Sequence, residues 1–273
     1  MAKKKVLYIT HEMSPFLELT EISKITRQLP QAIQEQGYEI RVLMPRFGCI
    51  NERRNRLHEV IRLSGMNIVI NDNDNPLIIK VASIQGAKMQ VYFLDNEEYF
   101  QRKHVFTDDK EKFFDDNDER AIFFSKGAIE TVKKLGWTPD IVHCHGWMSS
   151  LVPAYLKTTY KNDPMFKNTK VAYSVYENSF EGTLDPTFST KAVMNQMTAD
   201  DLTVYAPATN SALHMGAVGF ADAVIKGDEK IDSKVEEFIA KSGKPVMNYT
   251  NFDDTEAFAQ FYEEMANEEL VSA

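Results

Sequence analysis

Short apolar runs alternate with helical patterns along most of this chain. The runs, four to six residues long and several of them bounded by Gly, Pro or Asn, predict β-strands at 5–10, 39–44, 78–83, 89–94, 140–144, 170–175 and 222–225. Between the first two strands, apolar residues recur at helical spacing up to Gly37, and residues 118–135 place a second apolar stripe before Gly136. Strands that alternate with helices predict an α/β fold with a mainly parallel, doubly wound sheet.

Two regions depart from this alternation. Residues 61–70 predict an extra strand or hairpin before a polar turn at 71–76. After residue 226 we predict a helix, a last strand at 245–249 and an acidic amphipathic helix at 253–270. No Pro-, Gly- or Ser-rich linker divides the chain and no repeat is visible, so we predict one domain over residues 1–252. The C-terminal helix, residues 253–273, is expected to dock on it.

Composition narrows the range of partners. The 273 residues have 43% hydrophobic and 26% charged residues, which is typical of a globular protein long enough for a sizeable core. A formal charge of −9 argues against nucleic acid and anionic membranes as main partners. Two cysteines, Cys49 and Cys144, cannot form a disulfide framework, and the apolar run 6–9 is too short for a signal peptide. A cytoplasmic location is therefore predicted.

The most informative segment is the apolar strand that begins after Asp140 and ends in a polar cluster with His143, His145 and Trp147. Ligands of open α/β sheets bind outside the carboxyl ends of the strands, so chemistry is expected at this edge. His143 and His145 project to the same face, but two nitrogens make no metal site without a third ligand, and we predict no metal and no cofactor.

Six residues at strand ends are candidates for binding a substrate, and the first four have a structural alternative. His145 is either a hydrogen-bonding group of a pocket or a satisfied structural histidine. Trp147 either stacks on a sugar ring or, as we favour, packs under the following helix. Asp95 and Asn96 hold sugar hydroxyls or form a turn or helix cap. Glu177 and Asn178 follow a strand and are expected to line a pocket.

Arg120 begins a helix and is expected to form a solvated ion pair with Asp95 or Asp116. No catalytic residue is assigned. The chain has no nucleophile triad pattern, P-loop or dinucleotide fingerprint.

Several segments together resemble the N-terminal half of bacterial glycogen synthases and plant starch synthases. They are Glu-Met-Ser-Pro-Phe at 12–16, Gly-Tyr-Glu-Ile-Arg-Val-Leu-Met-Pro-Arg at 37–46, Leu-Asp-Asn-Glu-Glu-Tyr-Phe at 94–100, Val-His-Cys-His-Gly-Trp-Met at 142–148 and Leu-Val-Pro-Ala-Tyr-Leu-Lys at 151–157. The resemblance implies the Rossmann-like acceptor half of a GT-B glycosyltransferase. It also implies the family's activity, glucosyl transfer from ADP-glucose to α-1,4-glucan.

The chain departs from this family at the loop after the first strand. The family has Lys-Thr-Gly-Gly there, which helps to hold the sugar nucleotide; this chain has Glu-Leu-Thr-Glu at 18–21. Residues 11–21 contain three glutamates and no Gly, Lys or Arg. A phosphate needs free backbone N–H groups and positive charge. A carboxylate ~4 Å from a phosphate costs ~4 kcal/mol per charge pair at a surface-like dielectric. We therefore predict that the loop does not hold a diphosphate.

Three further departures point the same way. Met148 replaces the family histidine that reaches the donor sugar, and a thioether neither gives nor takes a proton. Tyr176 and Glu177 occupy positions where the family has His and Asn. The family also needs a second domain that binds ADP-glucose, and we expect this chain to stop before it.

Three functional hypotheses follow. The one we favour is a synthase-like domain that recognises a glucan or small sugar but is not self-sufficient in catalysis, so that a protein partner would supply the donor domain. The second is a non-catalytic regulatory or protein-interaction module on the same scaffold. The third is an enzyme with a remodelled pocket and another substrate.

Overall fold

A computed structural model describes residues 3–87, 89–177, 179–250 and 254–266. Among these residues ten strands are assigned: β1 (Lys5–Ile9), β2 (Glu39–Pro45), β3 (His58–Glu59), β4 (Met66–Ile70), β5 (Asn73–Ser83), β6 (Gln90–Asp95), β7 (Ile141–His145), β8 (Lys170–Val175), β9 (Ala223–Lys226) and β10 (Val246–Met247).

The helices flank this sheet. They are α1 (Ile22–Glu35), α2 (Glu52–Asn55), α3 (Glu97–Phe100), α4 (Asn117–Leu135), α5 (Leu151–Lys157), α6 (Phe188–Ala192), α7 (Asn210–Phe220), α8 (Ser233–Ser242) and α9 (Thr255–Ala266). Two 3₁₀ segments, Trp147–Ser149 and Ala199–Tyr205, complete the set. Helix α4 ends at Gly136, whose φ of 64° lets it serve as a left-handed C-cap, as the sequence predicts. Helices α6 and α7 were not predicted.

The strand order is β10-β9-β8-β7-β1-β2-β6-β5-β3, with β4 paired to β5. From β10 to β6 every neighbouring pair is parallel, whereas β5 pairs antiparallel with β6, β3 and β4. The prediction of an α/β fold with a mainly parallel sheet is confirmed. Because β1, β7 and β8 are central, their apolar residues lie between helical layers and are almost all buried.

In the hairpin formed by β4 and β5, the turn is shorter than the sequence predicted. The polar stretch 71–76 was predicted to be a turn, but only Asn71 and Asp72, both at positive φ, form it. The residues from Asn73 to Pro76 belong to β5 and pair with β4. Asn and Asp tolerate the left-handed region, so a two-residue turn is sufficient.

Helix α9 packs against α1, and its Tyr262 reaches Tyr8 of β1 and His143 of β7. Its Phe258, Phe261, Tyr262 and Met265 are buried, and the Tyr262 hydroxyl lies 3.1 Å from the Tyr8 hydroxyl. The remainder of the predicted C-terminal segment, residues 253 and 267–273, lies outside the described residues. In the described ranges no helix has the length and apolar character needed to cross a membrane.

Candidate functional site at the carboxyl edge of the sheet

The loops that follow the parallel strands form a cleft with two neighbouring cavities. One, here called the aromatic cavity, has a volume of about 690 Å³ and is lined by residues that follow β1, β2, β6 and β8, including Phe106, Phe113 and Phe180. The other, the amide cavity, has a volume of about 510 Å³ and is lined from the β8 loop, the start of α7 and the β9 loop. Phe180 and Glu181 line both. The two cavities therefore adjoin, and together they provide an aromatic and a polar compartment.

The aromatic cavity rests on a stack of rings. Phe180 lies parallel to Phe113 with ring centroids 5.1 Å apart, and its edge meets Trp147 at 5.1 Å. Trp147 is buried beneath Phe106 and Phe180. The indole thus packs under the cavity, whereas the half-buried phenyl rings form its wall and offer an apolar face to a ligand.

The amide cavity contains a buried side chain that has no hydrogen-bond partner among the described residues. Asn210, in the first turn of α7, is 2% exposed, and neither its Oδ1 nor its Nδ2 is hydrogen-bonded among the described residues. Thr209 caps the helix by accepting from the Ala212 N–H, so Asn210 is not needed for capping. Because buried polar groups are almost always paired, this amide is available to a ligand or to water.

The buried histidines His143, His145 and His214 line neither of these two cavities. The Nδ1 of His145 is 2.7 Å from the Tyr176 hydroxyl, while its Nε2 has no partner in the described part of the chain. Burial, with His143 and His11 nearby, holds the pKa of His145 well below its usual range, so the ring is neutral. The prediction that His143 and His145 share one face is confirmed, since their ring centroids are 4.0 Å apart.

His143 is fully engaged inside the sheet. Its ring nitrogens lie 2.6 Å from the Tyr262 hydroxyl and 2.7 Å from the Ser174 hydroxyl, and burial lowers its pKa to about 3. His214 of α7 is engaged at one nitrogen only: its Nδ1 lies 2.9 Å from the Tyr173 hydroxyl, while its Nε2 has no partner among the described residues, and burial lowers its pKa to about 4. Within the described ranges no group of three metal-ligating side chains converges.

The loop after β1 is closed by a carboxylate of the protein itself. Glu12 is buried, and its Oε2 accepts from the backbone N–H groups of Leu19 and Thr20 at 2.7 and 2.8 Å. Its Oε1 accepts from the Thr20 hydroxyl at 2.6 Å and lies 3.5 Å from His11 Nε2. Although burial opposes ionisation, the bonds from His11 and Thr20 lower the pKa of Glu12. An internal anion thus occupies donors that a phosphate would need.

The remaining predicted residues are distributed as follows. Asp95 ends β6 but is buried, with Lys80 Nζ 3.0 Å and Arg46 Nε 3.8 Å from its Oδ2. Asn96 caps α3 by accepting from the N–H groups of Glu98 and Tyr99. Glu177 is exposed and lines the amide cavity, whereas Asn178 lies outside the described residues. Asp95 and Asn96 line neither cavity of the cleft.

The solvated ion pair predicted for Arg120 is wrong. Its guanidinium is buried, donates to the Tyr99 carbonyl at 2.7 Å and to the Asn117 side chain, and lies 5.4–5.9 Å from four phenyl rings. Burial lowers its pKa to about 9. Arg102 is the residue that pairs with Asp116.

Comparison with known proteins explains the resemblance of the motifs. The profile of the "Starch synthase catalytic domain" family matches residues 5–239. This chain belongs to that family.

Two curated relatives show how much of the family's proteins is matched. The glycogen synthases of Chlorobium luteolum and Chlorobium limicola are each 41% identical over 181 residues, which cover 66% of this chain and 37% of the relative. The chain thus matches little more than a third of each relative's length.

A solved structure supports the fold. The catalytic domain of starch synthase IV from Arabidopsis thaliana, bound to ADP and acarbose, aligns with a TM-score of 0.75 at 16% identity, covering 92% of this chain and 52% of that one. The resemblance to the glycogen and starch synthases is therefore confirmed at the level of family and of GT-B fold.

Sequence reasoning missed Asn210, Phe180 and the internal role of Glu12. The Thr-Asn-Ser triplet at 209–211 is typical of a helix start and could have indicated that a helix begins at the cleft. No sequence signal shows that the Asn210 amide is unpartnered or that the Glu12 carboxylate folds back on its own loop, because both depend on three-dimensional packing.

Proposed function

We propose that this member of the family recognises an uncharged glucan chain or small sugar in its carboxyl-edge cleft and does not itself hold a nucleotide sugar. Glucosyl transfer would then need a donor site supplied by another domain or a protein partner. A cytoplasmic location remains a prediction from composition.

The observation that carries the proposal is the set of carboxylates in the loop after β1, where Glu18 and Glu21 stand at positions that are Lys and Gly in the family. The Glu12 carboxylate takes the Leu19 and Thr20 N–H groups, and Glu18 and Glu21 are exposed on the same loop. A pyrophosphate at this loop would meet several carboxylates and few free donors. At an effective dielectric of 20, each carboxylate at ~4 Å would cost ~4 kcal/mol, which outweighs the ~1 kcal/mol that a neutral hydrogen bond typically contributes.

The cleft favours a neutral polyol. The lining of the amide cavity includes Asn210, Ser211 and the carboxylate-bearing Glu177 and Glu181, with Lys230 as the only cation of that lining. Amide and hydroxyl groups donate hydrogen bonds to sugar hydroxyls and accept them from sugar hydroxyls, and carboxylates accept them. The excess of carboxylates disfavours a phosphate. The neighbouring phenyl rings supply the apolar surface against which a sugar ring can pack.

Calorimetric titration with maltoheptaose and, separately, with ADP-glucose tests the proposal. We expect maltoheptaose to bind and ADP-glucose to give no measurable heat. Phe180→Ala should weaken maltoheptaose binding roughly tenfold, about 1.4 kcal/mol. Phe220→Ala is the matched control, since this half-buried phenylalanine ends α7 on the side away from the cleft and should leave binding unchanged.

Two results would overturn the proposal. Micromolar binding of ADP-glucose would show that the loop accepts a nucleotide sugar despite Glu12. Absence of maltoheptaose binding, or equal loss in both phenylalanine variants, would remove the sugar site and favour a regulatory or protein-interaction role.

A further inference from the structure

A third cavity lies away from the cleft and shares none of its lining residues. It has a volume of about 770 Å³ and is formed by the β4–β5 hairpin, the middle of α4 and the end of α6 with the segment after it. Small-molecule sites in proteins span roughly 300–1,000 Å³, so its size suits a ligand. None of the family motifs or departures described above falls in it.

One buried cation distinguishes this cavity, which we call the Lys126 cavity. Lys126 is 5% exposed, and its Nζ donates to the Val69 carbonyl at 3.1 Å and the Val193 carbonyl at 3.4 Å. An ammonium group has three donors, so one remains for the cavity that Lys126 lines. No carboxylate of the described residues pairs with it, and burial alone lowers its pKa to about 8.

The other charged groups facing the cavity are already engaged or exposed. Lys191 is bound by Asp118 and Glu119, each at 2.9 Å. Glu130 accepts from the Tyr160 hydroxyl, and Asp72 lies exposed in the hairpin turn. Lys126 is therefore the lining cation that still lacks a counter-ion among the described residues. A buried charge without a counter-ion is costly, and a ligand carboxylate would supply one.

The rest of the lining is mixed, with the polar side chains of Asn67, Asn71, Thr190 and Asn195 beside an apolar part. Met66, Ile68, Val193 and Met194 line the cavity, and the flexible thioethers adapt to ligands of different shape. A phosphate or a free polyol would leave the apolar part of the lining unfilled. We propose that the Lys126 cavity binds a small organic carboxylate that carries an apolar chain.

The test compares two ligands of the same length that differ in charge. Binding of hexanoate and of hexan-1-ol is measured by NMR titration at pH 7 on the whole chain. We expect wild-type protein to bind hexanoate at least tenfold more tightly. Lys126→Met should abolish this preference but still bind hexan-1-ol, which shows that the cavity is intact. Lys134→Met, an exposed lysine on the same helix, is the matched control and should keep the preference.

Titration of the amine gives a second readout. Above about pH 8 Lys126 loses its proton, so the preference for hexanoate should fall between pH 7 and pH 9.5. Lys126→Met retains Asp72, Glu130 and Lys191 and thus reports any contribution from them. Failure of both ligands to bind, equal binding of the two, or a preference that survives in Lys126→Met would each overturn the proposal. Maltoheptaose binding at the cleft is independent of all three outcomes.

Discussion

The loop after β1 and the end of β7 lie side by side at the same edge of the sheet, yet they differ in whether their hydrogen-bonding groups have partners within the protein. In the loop, Glu12 satisfies the donors of Leu19 and Thr20 from inside the protein. Around β7 and α7, Nε2 of His145, Nε2 of His214 and both amide atoms of Asn210 have no partner in the described part of the chain. In the first region the backbone donors are filled from within, although His11 Nδ1 has no partner among the described residues. In the second region the Asn210 amide lines a cavity and can bind a ligand.

This difference separates two capacities that an ADP-glucose-dependent synthase would combine. A site for a diphosphate needs open N–H groups and positive charge, whereas a site for a sugar needs mixed donors and acceptors beside an apolar face. The first set is filled here and the second is open. The following predictions, from the largest expected effect to the smallest, each act on one side of this comparison.

The largest effect on stability among these predictions is expected at Gly146, where the two regions touch. Gly146 has a φ of 74°, and a Cβ there would lie 2.7 Å from His11 Cε1. Gly146→Ala therefore adds both backbone strain and a clash, and we expect a loss of about 2–5 kcal/mol in the free energy of unfolding. Gly182→Ala is the control, since Gly182 has a φ of 81° with no atom within 4 Å of the added Cβ. Equal losses of unfolding free energy in the two variants, measured by urea unfolding, would show that the added Cβ at Gly146 does not clash with His11.

Removing the Glu12 carboxylate tests its role in the loop after β1. Glu12→Gln keeps the shape but loses one of two acceptor oxygens, and we expect a loss of about 2 kcal/mol at pH 7. Because the pKa of Glu12 is lowered in the folded state, the wild-type advantage is present above about pH 4.5 and disappears as the pH falls through the folded value. Glu18→Gln, exposed on the same loop, should change stability by less than about 0.5 kcal/mol. A pH-independent difference would contradict an ionised Glu12.

The open region should be sensitive to acid. His214 has a pKa near 4 when folded and an ordinary value of 6.5, so the unfolded state binds more protons between these values and stability falls as the pH falls. His214→Gln removes the uptake of up to one proton on unfolding. The change of unfolding free energy with pH should therefore decrease by up to about 1.4 kcal/mol per pH unit. His58→Gln, which replaces an exposed histidine, should leave the slope unchanged. Chemical unfolding between pH 4 and pH 6.5 measures both. Because His143 and His145 also have lowered pKa values, part of the slope remains in His214→Gln, and a slope equal to that of the wild type would refute the assignment.

The sequence predicted the sheet far better than the site. Strand β1 carries a continuous apolar run at 6–9, which is the signal that a strand buried on both faces gives. Helix α7 was missed because most of its own residues are Ala, Leu, Val and Gly. It therefore has no continuous polar face that a helical period in the sequence could reveal.

Side-chain environments were harder to predict because they depend on residues distant in the chain. Arg120 is buried under rings that include Phe47 and Phe106, and Asp95 is paired with Lys80 of β5. The acidity of the β1–α1 loop was visible in the sequence, but the return of the Glu12 carboxylate to the Leu19 N–H was not.

The central claim is that the β1–α1 loop rejects a nucleotide sugar. Calorimetry with ADP-glucose should compare the wild-type chain with a variant that carries the family's loop, Glu18→Lys, Leu19→Thr, Thr20→Gly and Glu21→Gly together. We predict no measurable binding to the wild type and measurable binding to the variant, because the exchange removes two carboxylates and adds an ammonium group and two glycines. Micromolar binding to the wild-type chain, or no gain in a variant that remains folded, would contradict the account.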